Sequence, residues 1–133
     1  LQSYLDFDLV TNQIEASVLK YDNFENETIK FLQEKRINPM IWSPLAGGEI
    51  FTSQSESAIR VRNELTEIAK KHNTENISEI AYAWLLAHPA KLIPIVGSGK
   101  INRISEAVNA LNIKLTRADW FAILDALVGH EVA

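Results

Sequence analysis

Apolar residues along the chain follow two spacings, one typical of strands and one typical of helices. Short runs of β-branched and apolar residues predict three strands, over residues 8–15, 37–42 and 92–96. Apolar residues that recur every three or four positions predict four helices, over residues 25–36, 58–72, 78–87 and 101–111. Thr116 and Asp119 predict a capping box that starts a last helix. This alternation predicts an α/β fold with a parallel sheet and helical crossovers.

Each helix is expected to bury one face, and the expected inner residues can be named. The first helix has Asn26 as its expected N-cap, and its predicted inner residues are Ile29, Leu32 and Arg36. The helix over residues 78–87 is apolar nearly all round and is expected to be buried. The inner face predicted for the helix over 101–111 consists of Ile101, Ile104, Val108 and Leu111. The last helix is expected to turn inward Trp120, Ile123, Leu124 and Leu127.

Composition sets limits on the class of protein. The 133 residues suit one domain with a sizeable core, and a net charge of −4 argues against a general nucleic-acid binder. No apolar run is long enough to span a bilayer, no signal peptide is recognised, and cysteine is absent, so a cytoplasmic protein without membrane contact is expected. Because the sequence enters ordinary structured sequence at Leu1, a fragment is also expected.

The stretch over residues 91–107 suggests an anion site. A buried strand ends at small residues, and Lys100 and Arg103 follow at the start of a helix, where free N–H groups and the helix dipole favour a phosphate. The stretch is not a P-loop, because Pro94 stands where a glycine is needed and Ile101 where Ser or Thr must bind magnesium. It also lacks the third Rossmann glycine, which is replaced by Asn102. Taken alone, it could equally be an ordinary helix start.

Three polar or glycine-containing segments follow the three predicted strands, and together they resemble the aldo-keto reductase family. The segments are VTNQIE at residues 10–15, WSPLAGG at 42–48 and IVGSGKINR at 95–103. In order and spacing they look like the sixth, seventh and eighth strands of that family's (β/α)8 barrel. The resemblance covers essentially the whole chain. It implies that residues 1–133 form one partial domain, the C-terminal part of a TIM barrel.

The resemblance implies a role in cofactor binding for each of several residues. Gln13 matches the glutamine that hydrogen-bonds the nicotinamide carboxamide, and Trp42 sits where an aromatic ring stacks on the nicotinamide. The backbone of Ser43 and Leu45 would line the pyrophosphate. Each role has a plainer structural alternative: Trp42 as a core aromatic, and Gln13 as a partner for loop backbone.

The remaining implied contacts lie at the adenosine end of the cofactor. Ser98 and Arg103 match a pair that grips the 2′-phosphate, Lys100 is a third partner, and Gly97 opens the turn. Because arginine binds phosphate bidentately, the resemblance favours NADPH as cofactor. Glu106 matches an acidic residue near the adenine amino group. The family often has Asn one position later, where this chain has Ala107, which puts one adenine contact in doubt. The alternative for Arg103 and Lys100 is a solvated helix face.

The implied function is carbonyl reduction to an alcohol by hydride transfer. The family's catalytic Asp, Tyr, Lys and His have no counterpart here, so no catalytic residue is nominated, and the chain alone is expected to be inactive. Its histidines and tyrosines are expected to be structural or superficial, and no metal site is predicted. The expected partners are a small carbonyl substrate and either the missing half of the barrel or a second copy of the chain. Two alternatives stay open: a non-catalytic NADP(H)-binding sensor or scaffold subunit, and an unrelated α/β module that binds a phosphate or a protein.

Overall fold

A computed structural model describes residues 2–132, so Leu1, from which a fragment was expected, lies outside the described part. Within it, three short strands alternate with seven helices. The strands are β1 (Gln13–Glu15), β2 (Met40–Trp42) and β3 (Ile93–Pro94). The helices are α1 (Asp22–Glu25), α2 (Thr28–Glu34), α3 (Glu49–Thr52), α4 (Glu56–Lys71), α5 (Ile77–Leu86), α6 (Ile101–Asn109) and α7 (Arg117–Val128). Single 3₁₀ turns cover Gln2–Tyr4, Ala46–Gly48 and Ala110–Asn112.

The three strands form one parallel sheet in the order β1-β2-β3, which confirms the predicted α/β architecture. Gln13 pairs with Met40, and Met40 pairs in turn with Ile93. All three strands are shorter than predicted. For β1 the reason is that its neighbour β2 pairs with it along only three residues, so residues 8–12 fall outside the strand and Val10 is 89% exposed.

The helix predicted over residues 25–36 is broken in two. Glu27 adopts a left-handed conformation with φ of +64°, which ends α1 before α2 begins. The predicted N-cap, Asn26, lies one residue before the cap position, where its side-chain oxygen still accepts a hydrogen bond from the Thr28 N–H at 3.1 Å. Ile29 and Leu32 are buried as predicted, but Arg36 is exposed, with φ of +56° beyond the end of α2.

The core lies between the sheet and α4, α5 and α7. Its largest fully buried side chains include those of Ile41, Leu65, Ile80, Trp84 and Ile123. As predicted, α5 is buried nearly all round. The predicted capping box at the start of α7 is confirmed: the Asp119 N–H donates to the Thr116 hydroxyl at 3.1 Å, and the Thr116 N–H donates to the Asp119 carboxylate at 3.2 Å. Of the predicted inner face of this helix, Ile123 and Leu124 are fully buried, and Trp120 and Leu127 are half-buried.

The predicted inner face of α6 is wrong. Ile101 is 82% exposed and Leu111 is 66% exposed, and Ile104 and Val108 are exposed with them. The reason is that α6 meets α5 through a different face, which carries Glu106 and Ala107 and continues into the buried Ala110. The apolar stripe therefore points away from the core. Throughout residues 2–132, moreover, each helix falls short of the length and apolar character needed to cross a membrane.

Candidate functional site

A cavity of about 380 Å³ opens where the chain leaves β2 and β3. Its walls come from the loop after β2, the end of β3, the turn into α6, and one side of α5. The carboxyl ends of parallel strands are where ligands gather in α/β folds, because loops and helix N-termini meet there. Its position in the fold therefore makes this cavity the candidate binding site.

The loop after β2 supplies one wall and is held in a strained conformation. Ser43 and Ala46 have φ of +50° and +52°, in the left-handed region that residues with a side chain rarely adopt. Backbone strain of about 1–3 kcal/mol per residue persists only where surrounding structure enforces it, often at binding sites. Trp42 stands just before this loop with 44% of its surface exposed. A large flat ring is thus available to the cavity.

Arg62 holds the far end of the same loop in place. Its guanidinium donates hydrogen bonds to the carbonyl oxygens of Ile50 and Ser53, at 2.9 and 2.5 Å. These two contacts tie the segment after the loop to the middle of the core helix α4. The conformation of the cavity wall is therefore fixed from outside the cavity.

The turn into α6 supplies hydrogen-bond donors and a positive charge. The Ser98 hydroxyl accepts a hydrogen bond from the Lys100 N–H at 3.2 Å, which leaves its own O–H free to donate into the cavity. Arg103 lines the cavity and is exposed, and its guanidinium forms no ion pair or hydrogen bond with any of residues 2–132. An unpaired guanidinium at a helix N-terminus favours an anionic ligand.

The part of the cavity lined by α5 and α6 carries polar groups. The buried Ser78 hydroxyl donates a hydrogen bond to the Glu106 carboxylate at 2.6 Å. Tyr82, one turn further along α5, is 4% exposed and also lines the cavity. Burial raises the pKa of Tyr82, and the Glu106 carboxylate raises it further, while Arg103 acts in the opposite direction. The phenol therefore stays neutral and keeps its proton at physiological pH.

The structure brings together seven of the nine residues nominated from the sequence. Those that line the cavity are Trp42, Ser43, Leu45, Gly97, Ser98, Arg103 and Glu106. Gln13 and Lys100 are exposed and outside the lining. Gln13 pairs with Met40, two residues before Trp42, so it lies roughly 7 Å along the sheet from the carboxyl end of β2. Their proposed roles remain predictions.

Six lining residues were not nominated from the sequence: Pro44, Gly47, Gly48, Phe51, Tyr82 and Ile95. Tyr82 was expected to be only structural, since an apolar helix gives no sign of which residue meets a cavity. Its one available signal was its spacing, four residues after Ser78, which places the two polar side chains on the same face of α5. Among residues 2–132, no cluster of three or more His, Asp or Glu side chains could hold a metal ion.

Comparison with known proteins identifies the family. A family model described as the aldo/keto reductase family matches residues 2–128. The chain belongs to the aldo-keto reductase family. The predicted resemblance is thereby confirmed, and the alternative of an unrelated α/β module is wrong. Members of this family typically use a nicotinamide cofactor.

Several curated proteins are similar to this aldo-keto reductase chain over nearly all of its length. It is 48% identical over 132 residues to the uncharacterized oxidoreductase YcsN of Bacillus subtilis. It is 41% identical over 133 residues to a 6-dehydroglucose reductase of Agrobacterium fabrum, and 41% identical over 132 residues to the oxidoreductase YdhF of Escherichia coli. These matches cover 99 or 100% of this chain but 43 or 44% of each relative.

A solved structure agrees with the fold. A thermostable aldo-keto reductase crystallised with the inhibitor epalrestat superposes with a TM-score of 0.81 at 27% sequence identity, over 93% of this chain and 42% of its own. The chain thus has the architecture of part of an aldo-keto reductase TIM barrel, as the sequence predicted. It spans less than half the length of the three curated relatives named above and of this solved structure.

Proposed function

We propose that this chain is the NADP(H)-binding portion of an aldo-keto reductase that reduces carbonyl compounds to alcohols. The observation that carries the proposal is the cavity at the ends of β2 and β3, which gathers an exposed aromatic ring, an unpaired arginine and a helix N-terminus. These three features suit a dinucleotide cofactor: the aromatic ring can stack on its flat ring system, and the arginine and the helix N-terminus can bind its phosphate groups. Family membership supports the proposal, because the cofactor class is typical of the family.

The residues present fit the cofactor. Trp42 would stack on the nicotinamide ring, and the backbone of Ser43 and Leu45 would face the pyrophosphate. Ser98 and Arg103 would hold the 2′-phosphate by hydrogen bonds that include a charged partner, which are about twice as strong as neutral ones. The bound nicotinamide supplies hydride to a carbonyl carbon. Gln13 and Lys100, which lie outside the lining, would contact the cofactor at its two ends.

Among the described residues that line the cavity, none is an evident donor of the proton that carbonyl reduction also requires. Tyr82 is a poor candidate for general acid for two reasons. Its raised pKa makes the phenol a weaker acid, and its place beside Glu106 and Arg103 puts it at the end of the cavity proposed for the 2′-phosphate. We therefore propose that the catalytic acid lies in sequence that the longer relatives possess and that this chain does not include. On this proposal the chain binds cofactor but does not reduce a carbonyl by itself.

The substrate would be a small carbonyl compound. Two relatives are named as 6-dehydroglucose reductases, one of them 41% and the other 36% identical to this chain. A sugar that carries a ketone or aldehyde group is accordingly the first substrate class to try with any longer protein that contains this chain. The chain itself would pair with the remaining part of the barrel.

The proposal is tested by titrating the purified chain with NADPH in a calorimeter. Saturable binding is expected, and Ser98→Ala should weaken it by about tenfold or more, because the hydrogen bond that is lost is one to a charged phosphate group. The matched control is Ser105→Ala, whose hydroxyl donates to the Ile101 carbonyl on the exposed side of α6. Absence of saturable binding by the folded chain would refute the cofactor assignment. Turnover of NADPH with 6-dehydroglucose or simple aldehydes would refute the proposed inactivity.

A further inference from the structure

Tyr82 is a buried polar side chain without a partner in the protein. Only 4% of its surface is exposed, yet its hydroxyl makes no hydrogen bond with any of residues 2–132. Within those residues, every side-chain nitrogen or oxygen sealed from solvent does have a hydrogen-bond partner. The Tyr82 hydroxyl therefore reaches open space, and the space that Tyr82 lines is the cavity.

The ring of Tyr82 is fixed, so its hydroxyl has a defined place. Tyr82 belongs to a small apolar cluster with Ala83 and Ala110, and the partly buried Leu45 and Val96 pack against it. Its electrostatic partners are Glu106 and Arg103, both of which also line the cavity. The hydroxyl thus belongs to the end of the cavity that α6 forms, and the exposed Trp42 belongs to the end that β2 forms.

Two helix faces meet at this end. Ser78 and Tyr82 lie four residues apart on α5, and Arg103 and Glu106 lie three residues apart on α6, so each pair shares a face of its helix. The Ser78 hydroxyl donates a hydrogen bond to one oxygen of the Glu106 carboxylate and so fixes the orientation of the carboxylate. What remains for a ligand is a carboxylate oxygen that accepts, a guanidinium that donates, and a phenol that does both.

We propose that Tyr82 binds the adenosine portion of the dinucleotide cofactor through its hydroxyl group. The inference rests on the proposed function and adds a contact to it. A phenol that both donates and accepts suits the nitrogen-rich edge of a purine and the hydroxyl groups of a ribose. Because the hydroxyl reaches open space and has no partner within residues 2–132, a ligand can bond to it without breaking a hydrogen bond of the protein.

The test is Tyr82→Phe in the full chain, with two ligands, NADPH and adenosine 2′,5′-bisphosphate. Because the hydroxyl has no protein partner, the urea midpoint of the ligand-free variant should equal that of the wild type. Both dissociation constants should rise by the same factor, about two- to tenfold. Tyr21→Phe is the matched control, since Tyr21 is half-buried and stacked on Phe24 outside the cavity. Its affinities should be unchanged.

Two results would overturn the inference while leaving the proposed function standing. One is equal affinities of Tyr82→Phe and wild type for both ligands, whatever the urea midpoint, and the other is a weaker affinity for NADPH but not for the bisphosphate. If the wild type binds neither ligand, the proposed function falls and the inference falls with it.

A second measurement needs no substitution at Tyr82. The chain has three tyrosines, so in protein labelled with ¹³C at the tyrosine ζ carbon the Tyr82 signal can be assigned by elimination, using Tyr4→Phe and Tyr21→Phe. Adding adenosine 2′,5′-bisphosphate should shift the Tyr82 signal and leave the signal of the exposed Tyr4 in place. A Tyr82 signal that stays unshifted at saturating bisphosphate would overturn the inference.

Discussion

Trp84 and Trp120 lie with their rings stacked, 4.9 Å between centroids and 9° between planes, and each indole N–H donates to the other residue's backbone carbonyl at 3.0 Å. This reciprocal pair joins α5, which forms one wall of the cavity, to α7 on the other side of the core. Stacked aromatic rings contribute about 0.5–1.5 kcal/mol beyond their buried area. The pair therefore holds one wall of the candidate binding site through residues that do not line the cavity.

Trp120→Phe should destabilise the chain by about 1–3 kcal/mol, because the Trp84 carbonyl loses its hydrogen-bond donor and the smaller phenyl ring stacks less surface on Trp84. Urea unfolding followed by far-UV circular dichroism measures the change. Trp42→Phe is the control, since Trp42 is 44% exposed at the end of β2, and its unfolding midpoint should match the wild type. Equal stabilities of Trp120→Phe and wild type would show that the hydrogen bond from the Trp120 indole to the Trp84 carbonyl contributes nothing.

Trp42 should report cofactor binding. We expect NADPH to quench the fluorescence of Trp42, and Trp42→Leu to weaken NADPH binding by about two- to tenfold through loss of stacking. Trp42→Phe keeps an aromatic face and should retain most of the affinity. Affinity for adenosine 2′,5′-bisphosphate, which lacks the nicotinamide, should be the same in all three proteins. A Leu variant that binds NADPH as well as the wild type would rule out stacking.

His88 should make stability fall in mild acid. Burial lowers the pKa of His88, its Nδ1 accepts a hydrogen bond from the Ala90 N–H at 3.1 Å, and its ring meets that of Phe24 edge-on. Because the folded-state pKa lies below the ordinary value of about 6.5, the unfolded chain binds more protons. The stabilisation is complete above that value and decreases as pH falls below it.

Urea unfolding at several pH values between 7.5 and 5.5 tests this account of His88. The decline in unfolding free energy should be smaller in His88→Gln, and His130→Gln, at an exposed position, should decline as the wild type does. Titration of Glu79 and Asp119 does not contribute to the change in stability between pH 7.5 and 5.5. Burial raises the pKa of both carboxylates, but hydrogen bonds outweigh it and leave each pKa below its ordinary value, so both titrate at lower pH. Identical pH profiles of His88→Gln and wild type would contradict the account.

Different elements of the fold could be predicted to different degrees. The capping box of Thr116 and Asp119 is a local pattern, so it was predicted correctly from four residues of sequence. The stripe on α6 was predicted to be buried because periodicity identifies an apolar face and says nothing about what covers it. The break at Glu27 depends on a single positive φ at a residue type that seldom adopts one, and no residue pattern signals it.

The residues of the candidate site likewise fall into those that sequence motifs predict and those that only the packing of the fold determines. Trp42 ends β2, and Ser98 and Arg103 lie between β3 and the first turn of α6, in segments whose motifs can be recognised from sequence; all three line the cavity. Tyr82 lines the cavity only because α5 packs against the residues around it, and a local sequence pattern does not specify that packing. Gln13 lies outside the lining because the register of β1 with β2, which sequence does not specify, sets its position along the sheet.

The exposed stripe of α6 should make the isolated chain self-associate. Ile101, Ile104 and Val108 border a shallow apolar depression of about 310 Å³ that nothing else in residues 2–132 covers. Because contiguous exposed apolar surface favours association, a second copy is the expected occupant when the chain is alone. Sedimentation velocity should show a species that grows with concentration in the wild type and stays monomeric in Val108→Glu. Asn102→Glu, exposed beside the stripe, should behave as the wild type. A wild type that stays monomeric at every concentration would contradict this prediction.

The most direct test of the cofactor assignment compares the calorimetric affinities for NADPH and NADH, which differ only in the 2′-phosphate. A hydrogen bond to a charged group contributes about 1.5–3 kcal/mol, so the wild type should prefer NADPH by at least about tenfold. Arg103→Ala should lower this ratio by about tenfold or more, with the Ser98 hydroxyl left as a phosphate contact. Arg117→Ala, whose guanidinium lies over the Phe121 ring on α7, should keep the wild-type ratio. Equal affinities for the two cofactors in the wild type, or a ratio that Arg103→Ala leaves unchanged, would contradict the account.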